Sequence, residues 1–247
     1  MGFILVSTTM LFAQAQVIGV AKDNFFEYNM VAHWNSISTS APAELLELNQ
    51  TAVVRVTVNS VSGSVISTKV STHFVNGTDA TVDGSCNIDT GECIGLPFIA
   101  ANLGKNDLVN PSASEAWYIN ETISRAYKDG PRETNHLKLQ YNDTIQDLGQ
   151  LIRVYDYYFD KSTGVLVEYT TETSYSDITG VTQSNLLASN VWNVGDNVPV
   201  QFGDSGAGSP TTLYIAVAAT GIIIGVIAVF AVFKRRKSLR SETKDEE

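Results

Sequence analysis

Alternation of apolar and polar positions dominates the middle of the chain. From Ala52 to Val61, Val54, Val56 and Val58 point one way and Arg55, Thr57 and Asn59 the other, the period of a half-buried β-strand. Ser62-Gly63-Ser64 reads as a turn, with Val65 to Val75 returning as the partner strand. Asn76-Gly77 marks the next turn and Asp79 to Asn87 the next strand. Trp117 to Tyr127 and Glu133 to Tyr141 flank a further hairpin connection, Lys128-Asp129-Gly130-Pro131. The clearest pair is Leu151 to Asp160 and Val165 to Ser174, joined by Lys161-Ser162-Thr163-Gly164. Leu151, Arg153, Tyr155, Tyr157 and Phe159 share a face of the first arm, and Val165, Val167, Tyr169 and Thr171 share one of the second. Aromatic and β-branched cross-strand pairs contribute roughly 0.2–1 kcal/mol each. Turn signals recur about every ten residues, the spacing of a meander rather than of βαβ units. The expectation is a mainly β fold, an antiparallel meander built as a curved half-barrel or a sandwich. Helical signal is sparse: Ala43 to Leu48 and Phe98 to Leu103 could each form one short turn.

Both ends of the chain break this pattern. Leu213 to Phe233 carries no charge, and at about 1.5 Å of rise per residue it can cross a hydrocarbon layer of roughly 30 Å. Lys234-Arg235-Arg236-Lys237 follows directly, and such a block stays on the cytoplasmic side. Gly2 to Phe12 is apolar but too short to span, and Ala13-Gln14-Ala15 is a small-x-small cleavage pattern. The first charge is Lys22, so the basic start usual in a signal peptide is missing. Gln201 to Thr212 is small and polar, with the character of a flexible stalk. The expected organisation is a signal peptide over 1–15, a β-rich extracellular domain over 16–200 and a stalk over 201–212. A transmembrane helix over 213–233 and a cytoplasmic tail over 234–247 complete it. The chain would then sit in the cell membrane as a single-pass protein, with its N-terminal domain outside and the lipid bilayer as its first partner. Gly221 and Gly225, one turn apart within the span, would let two such helices pack closely as a homodimer.

Charge narrows the partners. The net charge is −10 although the tail holds six basic residues against four acidic ones, so the acidity lies in the exterior part. An acidic surface repels phosphate backbones, which argues against nucleic acid. Cys86 and Cys93 are the only cysteines and flank turn-forming residues; in an oxidising exterior they are expected to pair across a hairpin. Asn49-Gln50-Thr51, Asn76-Gly77-Thr78, Asn120-Glu121-Thr122 and Asn142-Asp143-Thr144 are N-glycosylation sequons. Asn49, Asn76, Asn120 and Asn142 are therefore candidate glycan acceptors.

Catalytic signals are weak. Asp89-Thr90-Gly91 and Asp204-Ser205-Gly206 match the short signature of aspartic proteases, but the first reads as a turn inside the cysteine hairpin and the second lies in the stalk. His33, His73 and His136 are far apart in sequence, without metal-ligand spacing. No catalysis, metal or cofactor is expected.

Two stretches, INETISRAYKDGPRETNHLKLQY (Ile119 to Tyr141) and YYFDKSTGVLVEY (Tyr157 to Tyr169), together with the overall layout, resemble uncharacterised archaeal single-pass cell-surface proteins. The second hairpin is also similar to one in half-barrel lipoprotein carriers of the LolA/LppX type. The first resemblance implies a surface protein that binds other surface components or serves as a structural element. The second implies a concave apolar face for a lipid or other hydrophobic ligand, with Tyr155, Tyr157 and Phe159 as candidates to line it. No catalytic residue transfers with either.

Overall fold

The computed structural model describes residues 16–195, apart from 37–39, 42, 94–96, 146–148 and 176–177. Its elements are β1 (Phe25–Tyr28), β2 (Val31–Asn35), α1 (Ala43–Leu48), β3 (Thr51–Ser62), β4 (Val65–Phe74) and β5 (Asp79–Asn87). β6 (Glu92–Cys93), β7 (Glu121–Tyr127), β8 (Gly130–Ile145), β9 (Gly149–Asp160), β10 (Leu166–Tyr175) and β11 (Ile178–Ser189) follow. All the strands join one open antiparallel sheet, in the order β6-β5-β4-β3-β1-β11-β10-β9-β8-β7, with β2 also on β11. Of the two architectures the alternation allowed, one open sheet is present rather than two facing ones.

The sheet has two wings that meet at β1. β3 to β6 form one meander and β7 to β11 the other, and β1 pairs with β3 along one edge and β11 along the other. Val54, Val56 and Val58 of β3 face Thr72, Val70 and Thr68 of β4. Across the other wing Tyr157 of β9 lies between Leu137 of β8 and Tyr169 of β10. Residues of both wings, with Phe26 and Tyr28 of β1, belong to one hydrophobic core. The long connection between β6 and β7 contributes Phe98, Ile99, Ala100, Val109 and Ile119 to that core, so the chain fills this part of its own interior.

Phe98 to Leu103 is not the helical turn that its apolar run suggests. Instead Phe98 forms a bridge to Val165 and Ala101 a bridge to Val17, and Asn102 turns the chain with φ +63°. The Leu166 amide donates to Pro97 O at 2.9 Å, the Ile99 amide to Gly164 O at 2.9 Å, and the Asn102 amide to Lys161 O at 2.6 Å. Backbone pairing with the β9–β10 turn thus overrides local preference. Gly164 makes the approach possible. It has φ +71°, and a Cβ there would lie 2.1 Å from Ile99 O.

Register sorts the connections into two groups at opposite ends of the strands. One end carries the turns β3–β4, β7–β8 and β9–β10. The chain leaves β11 at this end: the Asn193 amide donates to Asp129 Oδ2 at 2.6 Å, and the Lys128 amide to Val194 O at 3.4 Å. The other end carries α1 and the connections β4–β5, β8–β9 and β10–β11. No helix among the described residues is long and apolar enough to cross a membrane. The expected signal peptide, stalk, span and tail lie outside the described residues.

Candidate functional site

The inner face of β8 to β11 is the one place where the aromatic residues singled out by the sequence come together. Three rows cross it. The first runs Leu137, Tyr157, Tyr169, Ser184. The second runs Leu139, Tyr155, Thr171, Thr182 and continues to Ala32 of β2. The third runs Tyr141, Arg153, Thr173, Gly180, Trp34. Towards the α1 end the face becomes more polar, gaining Thr171 and Thr182 and then Arg153 and Thr173.

The rings form a ladder. Tyr155 stacks on Tyr157 with centroids 6.3 Å apart, Tyr157 on Phe159 at 6.0 Å, and Tyr157 on Tyr169 at 5.0 Å. Tyr141 meets Tyr155 edge-on at 5.8 Å. These are the offset and edge geometries that ring quadrupoles favour. Tyr155, Tyr157 and Phe159 are 3, 7 and 0 % exposed: they are packed within the wall. The Thr171 hydroxyl bonds to Tyr169 Oη.

Burial sets the chemistry of this face. Desolvation drives the Tyr157 phenol well above its ordinary value, with the neighbouring tyrosines adding to the effect. It raises Tyr169 too, against the hydrogen bond from Thr171. Half-buried Tyr141 is pushed up to about 12, by desolvation first and by Glu115 second. At neutral pH these groups are uncharged phenols, suited to stacking and hydrogen bonding and not to proton abstraction.

The other candidates are spread over the fold. Cys86 and Cys93 are bonded across β5 and β6. Asp89 lies in the turn between them, where its carbonyl accepts the Ser112 amide at 2.8 Å; Asp204 lies outside the described residues, as do Gly221 and Gly225. His73 pairs with Asp79 at 2.6 Å. His136 lies between Glu121, at 3.1 Å, and Asp156, at 2.8 Å, and stacks on Tyr158 at 4.5 Å. His33 is exposed on β2. Among the described residues no group of three or more His, Cys, Asp or Glu is arranged to hold a metal ion.

The four sequons differ in what their side chains do. Asn49 binds the backbone of Ala32 through both amide atoms, at 2.8 and 2.9 Å. Asn76 is exposed in the β4–β5 turn. Asn120 Oδ1 accepts the Lys138 amide at 2.6 Å. Asn142 is exposed within β8.

Two arrangements escaped the sequence reading. Arg132 holds buried Asp160 through Nε at 2.6 Å and a terminal nitrogen at 3.1 Å, and its guanidinium lies 4.6 Å from the Trp192 ring. Asp160 also accepts from Ser162 Oγ at 2.7 Å, the Thr163 amide at 2.9 Å and Thr163 Oγ1 at 2.7 Å. Burial alone would raise this carboxyl, but the hydrogen bonds from Arg132, Ser162 and Thr163 outweigh it and hold it below its ordinary value. The only hint was the Asp-x-Ser-Thr-Gly turn; the partner Arg132 is 28 residues away. The second arrangement is a buried Glu27 paired with Arg55 across β1 and β3.

No protein-family model matches the chain, and no curated protein matches it either.

Proposed function

We propose that the chain is a membrane-anchored, extracellular binding or structural protein of the cell surface that works without a catalytic step. Its tether is the charge-free span Leu213 to Phe233, followed by the cationic block at Lys234. The observation that carries the reading is the sorting of the connections. The chain leaves the β domain beside the β7–β8 turn, and the stalk and span follow from there. The opposite end, with α1 and the connections β4–β5, β8–β9 and β10–β11, then faces away from the membrane. Loops held by a rigid sheet are the usual place for recognition. The bonded cysteine pair suits an oxidising exterior.

A second reading, a half-barrel carrier or sensor of a lipid or other hydrophobic ligand, draws support from the single open sheet and the ladder of Tyr155, Tyr157 and Tyr169. Against it stands the close packing of those rings, and a filling of the interior by Phe98, Ile99 and Ile119. Both readings keep the helix-mediated homodimer through Gly221 and Gly225 as a proposal.

Epitopes inserted at Gly63 and at Gly77, turns near opposite ends of the sheet, test the first reading on intact cells. Both should bind antibody. Failure of both, with other surface proteins stained, would refute surface display. Native mass spectrometry of the detergent-purified chain separates the two readings, since a co-purifying lipid in defined stoichiometry favours the carrier and a bare mass favours the surface protein.

A further inference from the structure

We propose that Asn76 is the residue of this chain that carries an N-linked glycan, and that Asn49 is a structural asparagine excluded from that role. The inference rests on the exterior placement proposed above and adds which site is modified.

The sequon Asn76-Gly77-Thr78 lies wholly in the β4–β5 connection. Asn76 Oδ1 accepts two hydrogen bonds from the same residue, the Thr78 amide at 2.9 Å and the Thr78 hydroxyl at 2.7 Å. This folds the sequon back on itself and brings the Thr hydroxyl to the carboxamide. Two donors on Oδ1 also draw electron density from Nδ2 and ease the loss of its proton. Gly77 has φ +83° with nothing within 4 Å of a would-be Cβ, and Asn76, Gly77 and Thr78 are all exposed. The turn therefore protrudes with room for an enzyme around it.

The other three sequons lack this shape. Both amide atoms of Asn49 are committed to Ala32. Thr122 Oγ1 donates to Asn135 at 2.7 Å, away from its sequon partner Asn120. Asn142-Asp143-Thr144 is extended within β8 and paired residue by residue with β9. Bending its Thr back to the carboxamide would break that ladder.

The step needs a lipid-phosphate-linked oligosaccharide and a membrane-bound transferase on the exterior side. Asn76 Nδ2 forms a bond to the anomeric carbon as the bond from that carbon to the phosphate oxygen breaks. The lipid phosphate leaves with the electron pair, and one Nδ2 proton passes to a carboxylate of the transferase. The sugar would then stand at the end of the sheet opposite the C-terminal exit.

The test is production of the full chain in a cell that N-glycosylates its exported proteins, with the glycopeptides mapped by mass spectrometry. The expected result is one glycan, on Asn76, lost completely in Asn76→Gln and in Thr78→Ala and kept in Asn120→Gln and Asn142→Gln. A glycan on Asn49, or one that persists in Asn76→Gln, would overturn the proposal. So would an exported chain with no sugar, export being judged by labelling of exposed Lys69 with an impermeant reagent. If Lys69 labels only after permeabilisation, the exterior placement itself fails and takes this inference with it.

Discussion

Asn49 closes the free edge of β2 with its side chain. Its Oδ1 accepts the Ala32 amide at 2.8 Å and its Nδ2 donates to Ala32 O at 2.9 Å, so one carboxamide does the work of a neighbouring strand. The sheet needs it because β1 and β2 run almost continuously along β11, whereas only β1 also pairs with β3. At the break Asn29 helps in the same way, its Oδ1 accepting the Asn185 amide at 2.8 Å. Replacing Asn49 by Ala leaves two backbone groups of Ala32 without partners and should cost about 1–3 kcal/mol. Chemical denaturation gives the loss, and hydrogen exchange should show it concentrated at the Ala32 amide. Unchanged protection there would contradict this role.

Two glycines with positive φ should respond very differently to substitution. Gly164→Ala forces a Cβ to 2.1 Å from Ile99 O at φ +71°, which the pinned segment cannot relieve without breaking its bonds to the β9–β10 turn. A loss of about 3 kcal/mol or more, or failure to fold, is expected. Gly63→Ala has φ +57° but open space around the new atom, so only the backbone cost of about 1 kcal/mol remains. Equal losses in thermal unfolding would rule out the close approach at Gly164.

The Arg132–Asp160 pair should make stability acid-sensitive. The Asp160 carboxyl is held below its ordinary 3.8, so its contribution is present above that pH and is lost as the pH falls through the folded-state value. Asp160→Asn leaves Arg132 without its charge partner and should cost about 3 kcal/mol at neutral pH. Urea midpoints between neutral pH and pH 2 should fall less steeply for Asp160→Asn than for the unaltered chain. Parallel curves would show that Asp160 does not contribute.

Alkaline conditions probe the tyrosine ladder. Tyr28, Tyr157 and Tyr169 have phenols raised above their ordinary 10.0, chiefly by desolvation. A folded-state value above the unfolded one gives stability that is present below pH 10 and lost as the pH climbs beyond it. Three of the ten tyrosines should therefore ionise only when the sheet unfolds. Absorbance at the phenolate band, followed together with circular dichroism, checks this. Smooth titration of all ten near pH 10 with the sheet intact would contradict it.

Where apolar residues alternate between clear turn signals, the strands are legible in the sequence. β5 was read to the residue, and β3, β4, β9 and β10 to within a residue or two at each end. β8 and β9 both run further towards their shared connection than the apolar pattern suggests. β11 was invisible because Thr182 and Ser184, both buried, put polar atoms on the inner face and blur the alternation. β1 hid for a related reason. Glu27 is only 1 % exposed and is bonded to Arg55 of β3, a partner 28 residues on. The spacing of Tyr155, Tyr157 and Phe159 gave their shared face correctly, but their burial depends on the β6–β7 connection and on neighbouring strands. Asn49 looked like any other sequon because its partner Ala32 is chosen by the branching of the sheet.

The placement of the β domain outside the cell can be read most directly by labelling intact cells with a membrane-impermeant amine reagent and mapping the modified peptides. Lys22, Lys69, Lys105 and Lys138 are exposed on the β domain, while Lys234, Lys237 and Lys244 follow the apolar span. The first group should be modified in intact cells, and the second only after permeabilisation. Labelling of the tail lysines in sealed cells, or protection of the four domain lysines until the membrane is opened, would contradict this placement.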